Sequence, residues 1–222
     1  MDRSEDKTTS QSFAKSSGVA IVAIIFSSLL RLIMLAVLSR ILVPEAYGHY
    51  VIGYGLIMIL SNTAKWGMPN AMLRWGAIEF SENRLDSLKA LMYFGLITML
   101  VATLIIGAIS FIFAKQIIGF IGNSISIYEF KLFLISVPLI VVVELFAAIA
   151  RSSKSVSWFF LLKEIIPCII LLLLILIISN SKMTTGSVVV CFIISYLSTL
   201  LIGWRYLKQS FFTGISTKWL AI

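Results

Sequence analysis

Basic side chains stand inside long apolar stretches of this sequence, where a charged group is most costly. They are Arg31, Lys65, Lys131 and Lys163, and the clear acids in the same stretches are Glu144 and Glu164. A charge at mid-bilayer costs about 2.5–3.5 kcal/mol on insertion scales, so each group needs a partner, a water-filled cavity or a route to the membrane surface. Because cations outnumber acids, a cavity built from them favours an anionic ligand such as a phosphate or pyrophosphate.

Arg31 lies deepest among these cations. It follows the start of its apolar stretch by 13 residues, or roughly 20 Å of helix, and Ser27 and Ser28 precede it by one turn. Two interpretations are open. Arg31 is a structural residue whose guanidinium is satisfied by neighbouring carbonyls, or it is a cation that holds an anionic substrate group. The polar stripe with the two serines favours the second.

Lys65 carries a second polar stripe, with Ser61 and Asn62 one turn earlier. Gly67 and Pro69 follow at once and predict a kink in the helix. Interrupted helices at membrane depth are common where transporters bind their substrates. The pattern favours a lysine that lines a cavity, and the alternative is a side chain that reaches out to the membrane surface.

Lys163 has a nearby acid as a candidate partner. The short loop at 151–155 makes the flanking helices antiparallel neighbours, which places Glu144 and Lys163 at similar depth. A structural ion pair and a substrate-binding role are equally supported, and Glu164 could replace Glu144 in a conformational switch. Lys131 lies close enough to a membrane surface to reach it, with substrate binding as the second interpretation.

Transmembrane helices are the elements that must position these charges. Hydrophobic residues make up 59% of the 222 residues and charged residues 13%, and the mean hydropathy is +1.02. A soluble domain has about 45–50% apolar residues and about 25% charged residues. About 20 apolar residues cross the hydrocarbon core as a helix. The sequence therefore predicts an all-α, polytopic membrane protein with a bundle of six spans. They run near 18–42, 50–73, 88–113, 127–150, 156–179 and 187–206.

The basic residues predict the orientation of the chain. The net charge is +8, and it lies in short loops, where it sets topology and does not indicate a nucleic-acid partner. With the N-terminus in the cytoplasm, 11 Lys and Arg side chains fall on the cytoplasmic side and 3 on the other. Residues 1–17 then form a cytoplasmic tail, 18–207 the bundle, and 208–222 the cytoplasmic start of a linker.

Metal, cofactor and enzyme chemistry find little support in the sequence. Cys168 and Cys191 both lie in apolar stretches, where they act as small hydrophobic residues, and His49 is the single histidine. No metal-ligand spacing is present, and we expect no cofactor. A membrane enzyme of glycan assembly would need large outer loops or a His/Asp/Glu constellation, so we expect the protein not to be an enzyme.

Residues 38–50 read LSRILVPEAYGHY. This stretch resembles the first outer loop of the polysaccharide-transporter family, the Wzx-type O-antigen and capsule flippases, whose pattern is approximately S-R-x-L-x-P-E-x-Y-G-x-Y. We expect Pro44 to end the first helix, Arg40 and Glu45 to pair across the turn, and Gly48 to permit a tight backbone. Weaker matches to the family are Arg74, which closes the second span, and Arg151 in the turn 151–154.

The resemblance implies the fold and the function of the chain. The bundle would be similar to the N-terminal lobe of a MATE-like transporter, truncated relative to the family's two halves, and could associate with a second half or copy. The chain would be a flippase of the bacterial inner membrane that translocates an undecaprenyl-pyrophosphate-linked oligosaccharide, with membrane lipid around it. The alternatives are a multidrug exporter of the same architecture and an inactive truncated remnant. An exporter is expected to have an acid in its first helix, where this chain has Arg31.

Overall fold

The computed structural model describes residues 3–82, 84–122, 125–152, 156–178 and 183–209, and within them the chain is helical without a β-strand. A π-helical turn, Leu161–Ile165, joins two of the ten helices. The helices are α1 (Arg3–Ile41), α2 (Pro44–Lys65), α3 (Met68–Ser81), α4 (Leu85–Ile112), α5 (Ala114–Phe120), α6 (Ile127–Leu134), α7 (Ser136–Ser152), α8 (Val156–Phe160), α9 (Ile166–Ile178) and α10 (Thr185–Leu207). The predicted positions within 153–155, 179–182 and 210–222 lie outside the described residues.

Five helical segments are long and apolar enough to cross a membrane, among the residues that the structure describes. They are Gly18–Ile41, Asp86–Ile112, Ile127–Ser152, Val156–Ile178 and Thr185–Leu207. The chain is therefore an α-helical, multi-pass membrane protein. At 22 residues α2 is long enough, but polar residues at both of its ends lower its hydropathy. The count of six spans stays a prediction.

Helix α7 is the centre of the bundle and packs against α2, α3, α4 and α10. In an 18-residue stretch of the apolar segment Ile127–Ser152, which includes α6 and α7, 61% of the residues are buried, compared with 11% in such a stretch of Gly18–Ile41. The buried apolar side chains form two clusters, one around Tyr50, Phe130 and Phe133, and the other around Met72 and Leu145. The segment Gly18–Ile41 of α1 therefore lies at the edge of the bundle, with most of its surface left for lipid.

The turn between α1 and α2 differs from the expectation. Pro44 does not end α1, which stops at Ile41; it is the first residue of α2, where its missing N–H leaves no helical hydrogen bond unmade. Gly48 lies inside α2 and needs no unusual backbone. Arg40 and Glu45 are both exposed, and no described ion pair joins them. At the other end, α1 begins at Arg3, so the predicted tail is helical from residue 3.

The predicted second span, 50–73, is wrong as a single helix. Trp66 (φ 43°) and Gly67 (φ 73°) are both left-handed, and they separate α2 from α3. Because left-handed residues cannot continue an α-helix, the break falls where Gly67 predicted a kink, and it is complete. Pro69 then lies in the first turn of α3, where its missing N–H costs nothing. Arg74 is inside α3 and closes no span.

Two further spans contain interruptions. Ile135 separates α6 from α7, three residues before Pro138. The π-helical turn separates α8 from α9, just before Pro167. Proline has no N–H to donate to the carbonyl four residues earlier, so each proline loosens the turn that precedes it.

Candidate functional site

A cavity of about 350 Å³ lies where α1, α2, α7, α9, α10 and the π-helical turn meet. Its charged lining consists of three cations and two carboxylates among the described residues. They are Arg31, Lys65, Lys163, Glu144 and Glu164. The structure therefore brings together three of the four cations that the sequence singles out, and both acids.

Glu144 lies between two lysines. Its carboxylate forms an ion pair with Lys65, and its Oε1 is 3.4 Å from Lys163 Nζ. The second of these contacts is the pair that the sequence suggests, whereas the first was not foreseen. Lys65 Nζ also donates to Asn62 Oδ1 at 2.8 Å. Lys65 is 9% exposed, so it turns inward to these partners and does not reach the membrane surface.

Arg31 forms an ion pair with Glu164 across the gap between α1 and the π-helical turn. The partner of the guanidinium is therefore a carboxylate, where the sequence analysis considered backbone carbonyls. The Arg31 side chain is 51% exposed, and that of Glu164 is 22% exposed. This pair is much more accessible than Lys65 with Glu144.

The π-helical turn explains how two neighbouring residues reach the same cavity. The N–H of Ile166 donates to the carbonyl of Leu161, five residues earlier, and Pro167 has no N–H to restore the regular pattern. In a regular helix consecutive side chains point about 100° apart. The wider turn lets Lys163 reach Glu144 while Glu164 reaches Arg31. Such bulges occur frequently at functional sites.

The cavity has an excess of positive charge in its more exposed part. Lys65 and Glu144 have side chains that are 11% and 16% exposed, and they compensate each other. Arg31 and Lys163 are 51% and 36% exposed; Arg31 pairs with Glu164, whereas Lys163 has only its longer contact with Glu144, which Lys65 also holds. An anion that enters the cavity would meet Arg31 and Lys163 first.

Aromatic side chains form another wall of the cavity, and sequence reasoning missed most of it. Tyr54, Phe192 and Tyr196 line it, with ring centroids 5.9 Å apart for the first pair and 4.7 Å for the second. Cys168 also lines the cavity, with its Sγ 3.7 Å from the carbonyl oxygen of Leu30. The sequence did contain one indication of this aromatic wall. Tyr196 lies in the interior of an apolar span, whereas tyrosine is usually found at the end of a span.

The remaining residues that the sequence singled out lie elsewhere. Lys131 is not in the cavity; its Nζ lies 4.1 Å from the ring centroid of Phe111. Arg74 is exposed beside Trp75, and Arg151 lies over the ring of Phe159 at 5.0 Å. Within the described part of the chain, no group of three His, Cys, Asp or Glu side chains could hold a metal ion.

Comparison of the chain with protein-family models, curated proteins and solved structures finds no match. Membership of the polysaccharide-transporter family therefore stays a prediction from the resemblance.

Proposed function

We propose that this protein is a flippase for an undecaprenyl-pyrophosphate-linked oligosaccharide, and that its cavity receives the pyrophosphate. The observation that carries the proposal is the surplus of cations in a cavity at membrane depth, with Arg31 and Lys163 accessible. A pyrophosphate offers several charged acceptor oxygens to these donors. It could displace Glu164 and Glu144 from the exposed cations and leave Lys65 in place.

The surroundings of the cavity fit a lipid-linked substrate. Helix α1, which contributes Arg31, packs mainly on α8 and α9 and has few buried residues within Gly18–Ile41. An acyl or prenyl chain could therefore lie against it while the headgroup enters the cavity. In this proposal the bundle is one lobe of a transporter, a second half or copy forms the facing lobe, and the lobes rock around the substrate.

The proposed membrane is the bacterial inner membrane, with the N-terminus in the cytoplasm. Support comes from the distribution of basic residues, which are concentrated on the side that would then be cytoplasmic. The substrate would enter from that side, because lipid-linked repeat units carry their headgroup in the inner leaflet before translocation.

A multidrug exporter is less well supported. Such a protein would need an acid free to bind a cation or proton, and Gly18–Ile41 contains none. The two acids of the cavity, Glu144 and Glu164, are both ion-paired.

Binding of a short prenyl pyrophosphate tests the proposal. The protein is purified in detergent and titrated with farnesyl pyrophosphate, with farnesol as the probe for tail binding alone. Arg31→Gln removes a charged donor, and charge-assisted hydrogen bonds contribute about 1.5–3 kcal/mol, so we expect its Kd to rise about 10- to 100-fold.

The matched control is Arg40→Gln, an exposed arginine at the end of the same helix and outside the cavity. We expect it to bind as the wild type does, with size-exclusion profiles confirming that both variants are folded. Equal affinity of the Arg31 and Arg40 variants for farnesyl pyrophosphate would contradict the proposal. Equal affinity of the wild type for farnesol and farnesyl pyrophosphate would contradict it as well. Either result would mean that the charged residues of the cavity form only a structural ion-pair network.

A further inference from the structure

A second opening lies on the lipid-facing side of the bundle, away from the charged cavity. It is a groove of about 580 Å³ between α4 and the segment formed by α6 and α7, and the two share no lining residue. Its walls are apolar except near one end. Leu104, Ile135 and Phe111 line it and are more than half exposed.

The charged end of the groove holds one cation. Lys131 lies there with Tyr128, and its Nζ contacts the face of the Phe111 ring. The groove has no acidic residue in its lining, and no ion pair found in the described part of the chain includes Lys131. The nearest acid in sequence, Glu129, is engaged by His49 at 3.1 Å and by the Ser126 N–H at 3.2 Å. The charge of Lys131 is therefore available to a ligand.

The dimensions of the groove fit one leaflet. On α4 it runs from Phe111, at the end of the helix, back to Thr103, which is eight residues or about 12 Å. One leaflet of hydrocarbon is about 15 Å thick, half of the roughly 30 Å core. The groove is open at Gly107, in the middle of its α4 wall, because a Cβ added there would meet no atom within 4 Å.

We propose that this groove binds an anionic phospholipid of the surrounding membrane. Its phosphate lies at Lys131, beside the 71% exposed Tyr128, and one acyl chain lies along Gly107 towards Pro138. The positive end, the apolar walls and the position at the helix ends match the headgroup and tail of one lipid molecule. This inference does not depend on the proposed transport function, since it uses none of the cavity residues.

Native mass spectrometry of the detergent-purified protein tests the site. The protein is titrated with phosphatidylglycerol and, separately, with phosphatidylcholine of the same acyl chains. We expect tighter binding of phosphatidylglycerol, and an affinity about 5-fold lower in Lys131→Gln, because a lysine near an anionic lipid surface contributes an effect of that size. Gly107→Leu, which fills the groove, should weaken the binding of both lipids.

Two matched controls accompany these variants. Lys115→Gln removes an exposed lysine of α5 outside the groove, and Gly55→Leu adds the same side chain at an open position of α2. Both should bind phosphatidylglycerol as the wild type does. Equal affinity of the unmodified protein for the two lipids would overturn the proposal, and that comparison needs no variant. Lys131-dependent binding of undecaprenyl phosphate at lower concentration than phosphatidylglycerol would also overturn it and assign the groove to a substrate tail.

Discussion

Glu144 shows at residue scale how this bundle holds charges in an apolar setting. Its two carboxylate oxygens contact Lys65 and Lys163, and Asn62 accepts a further hydrogen bond from Lys65. Removing one partner of a buried ion pair is costly, because the other charge stays behind uncompensated. Lys65 is the less exposed of the two lysines, so it is the structural member of the group, and Lys163 is the member available to a ligand.

Replacement of Lys65 tests this division. Lys65→Met should lower the free energy of unfolding by roughly 1–3 kcal/mol, because Glu144 keeps only the longer contact with Lys163. Adding Glu144→Leu should restore part of the loss, since Lys163 is 36% exposed and can still reach water. Thermal unfolding in detergent provides the measurement.

An exposed lysine supplies the control, and Lys115→Met should unfold as the wild type does. A Lys65→Met protein as stable as the wild type would show that Lys65 is not the structural partner of Glu144. The same would follow if the double variant were no more stable than Lys65→Met.

The sequence could predict the charged residues of the site better than their partners. Arg31, Lys65 and Lys163 stood out because charges are rare in apolar stretches, and the short loop at 151–155 suggested the contact of Lys163 with Glu144. The contact of Arg31 with Glu164 joins positions 133 residues apart. No local pattern indicates which helix faces which, so that partner needed the packed structure.

Interruptions in the helices surround the site at element scale. The break at Trp66 and Gly67 directly follows Lys65, and the π-helical turn contains Lys163 and Glu164. The cavity therefore lies beside two interruptions of the regular helices, with Lys65 at the end of α2 and Lys163 and Glu164 in the π-helical turn.

Two glycines of α2 should respond in opposite ways to the same substitution. Gly53 lets α2 approach α6 closely, and an added Cβ would overlap Cε2 of the buried Phe133. Gly53→Ala should therefore lower the free energy of unfolding by about 1–3 kcal/mol through overpacking. Gly55 has open space, so Gly55→Ala should be neutral or stabilising through helix propensity.

Thermal unfolding of the two variants under the same detergent conditions compares them directly. Equal unfolding temperatures for Gly53→Ala and Gly55→Ala would mean that α2 and α6 do not pack as described here.

Hydropathy predicted most of the elements, because apolar length alone identifies a spanning helix. The helices at 85–112 and 185–207 agree with the sequence to within a few residues. The breaks at Trp66 and Ile135 were harder to predict. Gly67 and Pro69 signalled the first as a kink. Pro138 is a sequence signal near the second, but it does not specify a break at Ile135, and the short helix α5 left no clear pattern in composition.

The whole molecule combines two openings with different chemistry. The charged cavity is lined by six elements and contains both acids, whereas the groove at Lys131 faces lipid and has a single cation. A mixed-charge cavity between helices suits a ligand that comes and goes, because its ion pairs can re-form when the ligand leaves. An open, singly charged groove suits a resident lipid.

Labelling of Cys168 tests most directly whether the charged cavity is open to water and receives a pyrophosphate. Cys168 lines the cavity, while Cys191 is 1% exposed and provides an internal control. The folded protein is treated with a small water-soluble methanethiosulfonate reagent, and modification of each cysteine is followed by mass spectrometry. We expect Cys168 to react faster than Cys191, and farnesyl pyrophosphate to slow its reaction while farnesol does not. Labelling of Cys168 as slow as that of Cys191, or equal protection by both compounds, would contradict a phosphate-binding cavity.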